Sequence, residues 1–485
     1  MKGGNEVSGR DLRTWLERVD EVGELKEIDG ANWNEEIGTL MFAAQNKQTD
    51  CPAVLFNKIQ GYPKGYRVLT SMFATKRRLA ITANCPEGRS DIEMVDVLRR
   101  KMRDNKLLPP KVVKSGPVLE NVQKGKKIDL LKFPVPKWYP QDGARYIGTG
   151  HALVTRDPDE NWVNLGTYRT AVSDRHTLIT LIDPGQHGWL HREKYFARGK
   201  PMPAVIIAGG DPILHFVAQM DVPYGVGEYD FAGGLLGEPL EVIEGPATGL
   251  PIPANAEIAI EVEYVADDLR AEGPIREFTG TYSGGRHPKP AGKVLTVMHR
   301  NDPILCGRTT RKKGPVSDGI NSWMLVKSAS IWNQLETVGV PGIKGVWGHP
   351  MGTPMWIVVS ISQMYPGHAK QVGAMAATIP AGTFYGRYVI VTDEDIDPSS
   401  DSEVIWALSM RSDPIHSIDI IRNTRAGTLD PAVLDEERGL TSRAIIDATI
   451  PFQWSSEDKR VVKKAMGPRG LTEKLKRRYG ESLYK

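Results

Sequence analysis

"AVIIAGGDPILHFVAQM", residues 204 to 220, decides how the middle of the chain is read. Two short apolar runs flank Gly209-Gly210-Asp211-Pro212, and the first is β-branched. Glycine and proline punctuate local structure, so the pattern predicts two strands joined by a turn. The same rhythm continues on both sides, in "HALVTRD" and "HTLITLID" before it and "LEVIEG", "IAIEVEYV" and "KVLTVMH" after it. From about Val118 to Thr310 this spacing predicts a mostly β domain, barrel or sandwich.

The flanks follow a different period. Ser8 and Asp11 suggest a variant capping box, Leu12, Trp15, Leu16 and Val19 share one helical face, and Gly23 is placed to end the helix. "AVLFNKIQGYP" and "YRVLTSMF" are strand-like. "DIEMVDVLRRKMRDNKLL" is helical, with Pro109-Pro110 closing it. After residue 318, "SWMLVKSASIWNQLETVG", "HAKQVGAMAAT" and "SEVIWALSMR" read as helices between the strands "MWIVVSIS" and "YVIVTDEDID". The expected class is mixed α/β (α+β), with an N-terminal α/β unit (1–115), a β-rich unit (116–318), a layered α/β unit (319–455) and a basic helical tail (456–485).

Composition excludes several functions. A chain of 485 residues exceeds one ordinary core, and 40% hydrophobic with 25% charged residues is globular. A net charge of +3 gives no reason to expect nucleic acid. Three distant cysteines, Cys51, Cys85 and Cys306, fit a reducing compartment and offer no cysteine metal framework. No apolar run approaches the roughly 18–20 residues that span a bilayer, so the expectation is a soluble, cytoplasmic protein without a membrane partner.

No P-loop or strand-linked G-x-G-x-x-G is present. "GVGEYDFAGG" alone reads as a loop, and "TDEDIDP" (392–398) as carboxylates placed structurally between a strand and a helix. In "AEGPIREFTGTYSGGRHP" (271–288), Gly273-Pro274 marks a bend between Glu272 and Glu277. The pair is either two solvated surface acids or two carboxylates aimed into one cavity. Asn164, His187 and Glu228 form a second set of interest. One amide oxygen, one imidazole and one carboxylate suit a Mg²⁺ or Mn²⁺ ion that keeps positions open for a phosphate.

Several stretches together carry a resemblance: "NLGTYR", "GQHGWLHREKYFARGKPMPAVIIAGGDP", "GVGEYDFAGGLLGEPLEV", "AEGPIREFTG", "MYPGHAKQV" and "YVIVTDEDIDPSSDSEVIWAL". Over nearly its whole length the chain resembles the UbiD family of decarboxylases, which use prenylated FMN. The resemblance implies a central split-barrel flavin domain and a C-terminal oligomerisation domain, and hence a homodimer or larger homo-oligomer. We expect "IWALSM" and "MWIVVSIS" to supply its apolar surface. It implies Asn164, His187 and Glu228 as ligands of Mn²⁺ (or Mg²⁺), and Arg169, Glu272 and Glu277 as the catalytic group. Leu165, Gln186 and Arg387 fall at cofactor-contacting positions. Gln219, Met220 and Asp221 fall where backbone groups meet the cofactor and K⁺ (or Na⁺). A flavin prenyltransferase is the implied cofactor supplier.

The chemistry is coherent. Glu277 would deliver the proton that replaces CO₂ while Glu272 holds Arg169, and two close carboxylates resist joint ionisation, which raises one pKa. Several relatives that act on phenolic acids carry a histidine before the third unit's first helix. Here "KKGPVSDGINSWMLVKS" has none, which argues against a catechol or simple phenol. Phe278, Asp318, Asn321 and Trp323 are the expected pocket residues, and "RTTRKK" (308–313) is either a solvated loop or a contact for a second anionic group. The expected activity is reversible, non-oxidative decarboxylation of an aromatic or heteroaromatic acid. The alternatives are a decarboxylase of an aryl-CoA thioester or α,β-unsaturated acid, and a non-catalytic cofactor-binding subunit.

Overall fold

The computed structural model describes residues 10–47, 51–282, 285–309, 318–427, 429–433 and 439–454, with isolated positions beyond them. The basic tail, Ser8 and most of "RTTRKK" lie outside the described residues. The first helix, Leu12–Glu21, is capped by Asp11, whose side chain accepts from Thr14 N while Thr14 Oγ1 accepts from Asp11 N. Its face of Leu12, Trp15, Leu16 and Val19 is buried, and Gly23 follows it at φ +73°.

Three larger sheets organise the chain. Strands Leu25–Asp29, Ala53–Asn57 and Arg67–Thr70 form the first sheet, to which Ile304–Cys306 adds in parallel beside Arg67–Thr70. The first unit's sheet is therefore completed by residues far along the chain. The central sheet has nine strands in antiparallel pairings and curls into a half-barrel. Its spine is the pair Ile258–Glu272 and His287–His299, in which Glu272 faces His287 at the end of the ladder. The third sheet is mixed, with Ile343–Gly348, Trp356–Ile361, Tyr388–Asp393, Leu440–Ala448 and Ile418–Arg425 in that order.

The opening stretch divides differently from its sequence reading. Met202–Gly209 is a strand, but Pro212–Val217 is a helix. Asp211 accepts from Ile213 N at 2.9 Å and Pro212 takes the first helical position, so the apparent turn is a helix start. All six helical residues are buried, and an all-round apolar run hides its period. "GVGEYDFAGG" is likewise no simple loop: Glu228–Leu236 is helical. A Cβ on its Gly233 would lie 2.5 Å from the Leu108 carbonyl oxygen, so glycine there allows close packing rather than a break.

Two expectations in the third unit resolve in opposite directions. Asp393 and Asp395 of "TDEDIDP" pair with buried Arg411 at 3.2 and 2.7 Å, as a structural reading requires. "MWIVVSIS" supplies no surface, because Ile357, Val358, Val359 and Ile361 are core residues of a central strand. Ile405 and Met410 of "IWALSM" are exposed as expected, and Ile415 and Ile420 are exposed beside them in the sequence.

Candidate active site

A cavity of about 1000 Å³ opens between the half-barrel and the third unit. That is at the upper end for ligand pockets, with room for a cofactor and a substrate. Polar residues gather at two places in its wall.

At the first, the long strand ends on Glu272 and the chain turns at Gly273, whose φ is +90°. A Cβ there would lie 2.1 Å from the Gly285 carbonyl oxygen, so only glycine fits. The turn carries the chain to Glu277, whose N–H donates to Thr281 O (2.8 Å) and whose carbonyl accepts from Gly280 N (2.9 Å). Arg169 donates from Nε and Nη2 to the two oxygens of Glu272, at 3.0 and 2.6 Å, and from Nη1 to Glu277. Tyr146 adds a hydroxyl donor to Glu272 Oε1 at 2.9 Å, and burial with the neighbouring Glu272 charge keeps that phenol protonated. Both glutamates are buried, which removes the solvated-surface reading. Glu277 lines the cavity and Glu272 stands behind Arg169.

At the second, Asn164 and Leu165 lie on the strand Val163–Gly166, while His187 and Glu228 each begin a helix. All four line the cavity, together with Gln186. Glu228 Oε2 accepts from Leu165 N at 2.6 Å; burial pushes its carboxyl up to about 8, and no cation among the described residues offsets that. Burial also lowers His187, which keeps the neutral imidazole that ligates metals. Neither helix start carries a side-chain cap. Two uncapped N-termini facing one cavity favour an anion such as a phosphate. Among the described residues no three His, Cys, Asp or Glu side chains gather as a metal group. The set here is one carboxylate and one imidazole with an amide oxygen. Its buried, uncompensated carboxylate fits a divalent cation that would bridge to a phosphate.

Gln219, Met220, Asp221, Phe278 and Trp323 also line the cavity. Gln219 Oε1 accepts from Arg308 (3.2 Å) and Ser322 (3.1 Å), which commits its side chain to the protein. Burial raises Asp221, while Lys327 and Arg425 pull it down. Two expected residues are placed elsewhere. Arg387 is ion-paired with buried Asp430 and is not in the wall. Asn321 donates to Ala74 O (3.1 Å), towards the first unit. The side chain of Asp318 lies outside the described residues.

Phe278 and Trp323, both expected in the pocket, belong to an aromatic wall that Tyr385 and Phe384, missed by sequence reasoning, complete. Phe278 meets Trp323 and Tyr385 edge-on, both at 5.2 Å, and Phe384 lies 4.5 Å from Tyr385. Phe278 directly follows Glu277, so this wall stands beside the proposed acid. Arg308 and Arg425 also enter the cavity wall. Arg308 opens the "RTTRKK" run singled out in the sequence, whereas no local motif marks Phe384, Tyr385 or Arg425, which the third unit brings in only on folding.

Comparison with known proteins agrees along the whole chain. Family models for the 3-octaprenyl-4-hydroxybenzoate carboxy-lyase match its N-terminal domain at residues 16–122, its Rift-related domain at 111–313 and its C-terminal domain at 321–448. Pyrrole-2-carboxylic acid decarboxylase of Pseudomonas aeruginosa is 31% identical over 470 residues, covering 93% of each chain. The closed form of Sedimentibacter hydroxybenzoicus vanillic acid decarboxylase superposes with a TM-score of 0.86 at 30% identity, over 97% of this chain and 99% of that one. The UbiD-class enzyme HmfF from Pelotomaculum thermopropionicum, in complex with FMN, gives 0.83 at 27% identity, over 96% and 98%. Matched by the models of all three domains and by relatives of the same length and fold, the chain belongs to the UbiD family.

Proposed function

We propose that the chain is a non-oxidative decarboxylase of an aromatic or heteroaromatic carboxylic acid and works with prenylated FMN bound in the cavity. One observation carries the reading: the Arg169–Glu272–Glu277 cluster shares its cavity with the Asn164–His187–Glu228 set. Asn164, His187 and Glu228 would hold Mn²⁺ (or Mg²⁺) against the flavin phosphate, and the Gln219–Asp221 backbone would hold K⁺. When bound, the prenylated flavin supplies the electron sink that an sp² carbon losing CO₂ otherwise lacks.

Glu272 fixes the guanidinium plane of Arg169 through two hydrogen bonds, and a fixed fork orients a substrate carboxylate. Glu277 delivers a proton to the carbon that CO₂ leaves and takes it back in the reverse direction. Positioned acids of this kind contribute about 10²–10⁴-fold. Phe278, Trp323 and Tyr385 exclude water and favour a flat ring. Lacking a histidine in that wall, the pocket suits an acid without a phenolic hydroxyl that needs reading.

The three-unit division near residues 115 and 318, a cytoplasmic setting and supply of the cofactor by a flavin prenyltransferase belong to the same reading. So does self-association through the third unit, where Ile405, Met410, Ile415 and Ile420 are exposed. The test is CO₂ release from a panel of heteroaromatic, aromatic and α,β-unsaturated acids, using protein made with a flavin prenyltransferase. Turnover of a ring acid supports the reading. Cofactor-loaded protein inert to the whole panel contradicts it.

A further inference from the structure

We infer that Thr155 and His191 form a positioning relay that aims the amide oxygen of Asn164 at the cavity, a role that rests on the metal assignment proposed above. Thr155 lies on the strand Ala152–Arg156, directly opposite Asn164 across the ladder. Asn164 Nδ2 and Thr155 Oγ1 are 3.3 Å apart, and Thr155 Oγ1 and His191 Nδ1 are 2.9 Å apart. His191 sits one turn after His187 on the same helix, wholly buried, and the Trp162 ring packs edge-on against both imidazoles, at 5.1 and 4.6 Å. Asp157 Oδ2 stands 3.6 Å from His191 Nε2, held in place by Lys194 Nζ at 2.6 Å.

Counting protons gives this chain a direction. Burial keeps His191 neutral, so one ring nitrogen donates and the other accepts. The nearby Asp157 carboxylate favours the proton on Nε2, which leaves Nδ1 as the acceptor. Thr155 has a single hydroxyl proton and must donate it to Nδ1. Its oxygen can then only accept, and the amide group that donates is Asn164 Nδ2. An inverted amide would put its oxygen against a hydroxyl with no proton left, so inversion is penalised and Oδ1 stays available to a cation. One helix thus supplies a ligand, His187, and through its buried His191 orients a second, Asn164. The relay belongs to the outer shell that commonly tunes metal sites.

The test is Mn²⁺ titration by electron paramagnetic resonance with FMN present, and FMN retention on gel filtration, for wild type, Thr155→Val, Thr155→Ser and Asn164→Ala. Thr155→Val should bind Mn²⁺ about 10–100-fold more weakly with little change in Tm. Thr155→Ser keeps the hydroxyl and should bind like wild type. Wild-type Mn²⁺ affinity in Thr155→Val, alongside loss in Asn164→Ala, overturns the relay and leaves the metal assignment standing. Wild-type affinity in Asn164→Ala overturns both. If Thr155→Val does not fold, His191→Phe removes the acceptor while keeping a ring. Weaker Mn²⁺ binding there supports the relay, and unchanged binding overturns it.

Discussion

Glu272 and Glu228 are each 2% exposed, yet they face opposite surroundings. Glu272 receives two hydrogen bonds from Arg169 and one from Tyr146, so its charge is matched within the chain. Glu228 receives Leu165 N–H and no cation. A buried carboxylate without a partner costs stability unless a cation arrives. The first group is therefore preorganised in the protein alone, whereas the second is built to be completed by something bound. Both kinds of site border one cavity, which is the arrangement expected where a cofactor meets a fixed acid.

The contrast breaks most severely at Arg169. Arg169→Ala strands two buried carboxylates, so we predict that activity falls about 10²–10⁴-fold, with a loss of about 3–5 kcal/mol in stability. Steady-state rates and denaturant melts check both. Glu228→Gln should behave in the opposite way. With its carboxyl pushed up to about 8, metal-free Glu228 holds a proton near pH 7 that the unfolded chain has lost, and the amide removes that linkage cost, so the metal-free chain should melt no lower than wild type. Binding the native state alone, Mn²⁺ with FMN should stabilise wild type by about 2.7 kcal/mol at a hundred times Kd. Glu228→Gln should show almost none of that gain. Equal Mn²⁺ stabilisation in the two proteins would remove the distinction.

Smaller changes sharpen it. Trp323→Ala opens the aromatic wall without touching either charged group, so KM should rise about 10-fold while cofactor content stays constant. A test of burial alone concerns Lys327, which is buried behind the wall, donates to Phe384 O, and is lowered to about 7 by burial, with Asp221 raising it and Arg443 lowering it further. An unfolded lysine holds its proton to about 10.4, so between those values the unfolded chain binds more protons and this group's cost falls as pH rises. The difference in Tm between Lys327→Met and wild type should therefore be most favourable to the variant below pH 7 and shrink towards pH 10. A pH-independent difference would place the lysine in a wetter setting than its burial implies.

Legibility in the sequence followed the range of each interaction. Strands such as 258–265 and the helix that starts at Asp91 were readable because their signals are local, although that helix ends at Arg103, short of the Pro109-Pro110 expected to close it. Pro212–Val217 was misread because complete burial erases periodicity. Glu272 and Glu277 could be paired from the Gly-Pro bend, but their guanidinium partner lies over a hundred positions away and came only by resemblance. Tyr385 and Phe384, which complete the aromatic wall, and the pairing of Arg387 with Asp430 were invisible, since each depends on how the third unit packs. Even the Thr155–Asn164 contact needed the strand register before it had meaning.

The central claim is that the acid end acts on the substrate while the metal end only holds the cofactor. Glu277→Gln, loaded with prenylated FMN, tests it through exchange of the product's ring hydrogen with D₂O, measured beside flavin and Mn²⁺ content. An amide cannot donate the proton but keeps the shape. The account predicts full flavin and metal occupancy, with exchange reduced about 10²–10⁴-fold. Exchange at the wild-type rate with the cofactor bound would contradict it.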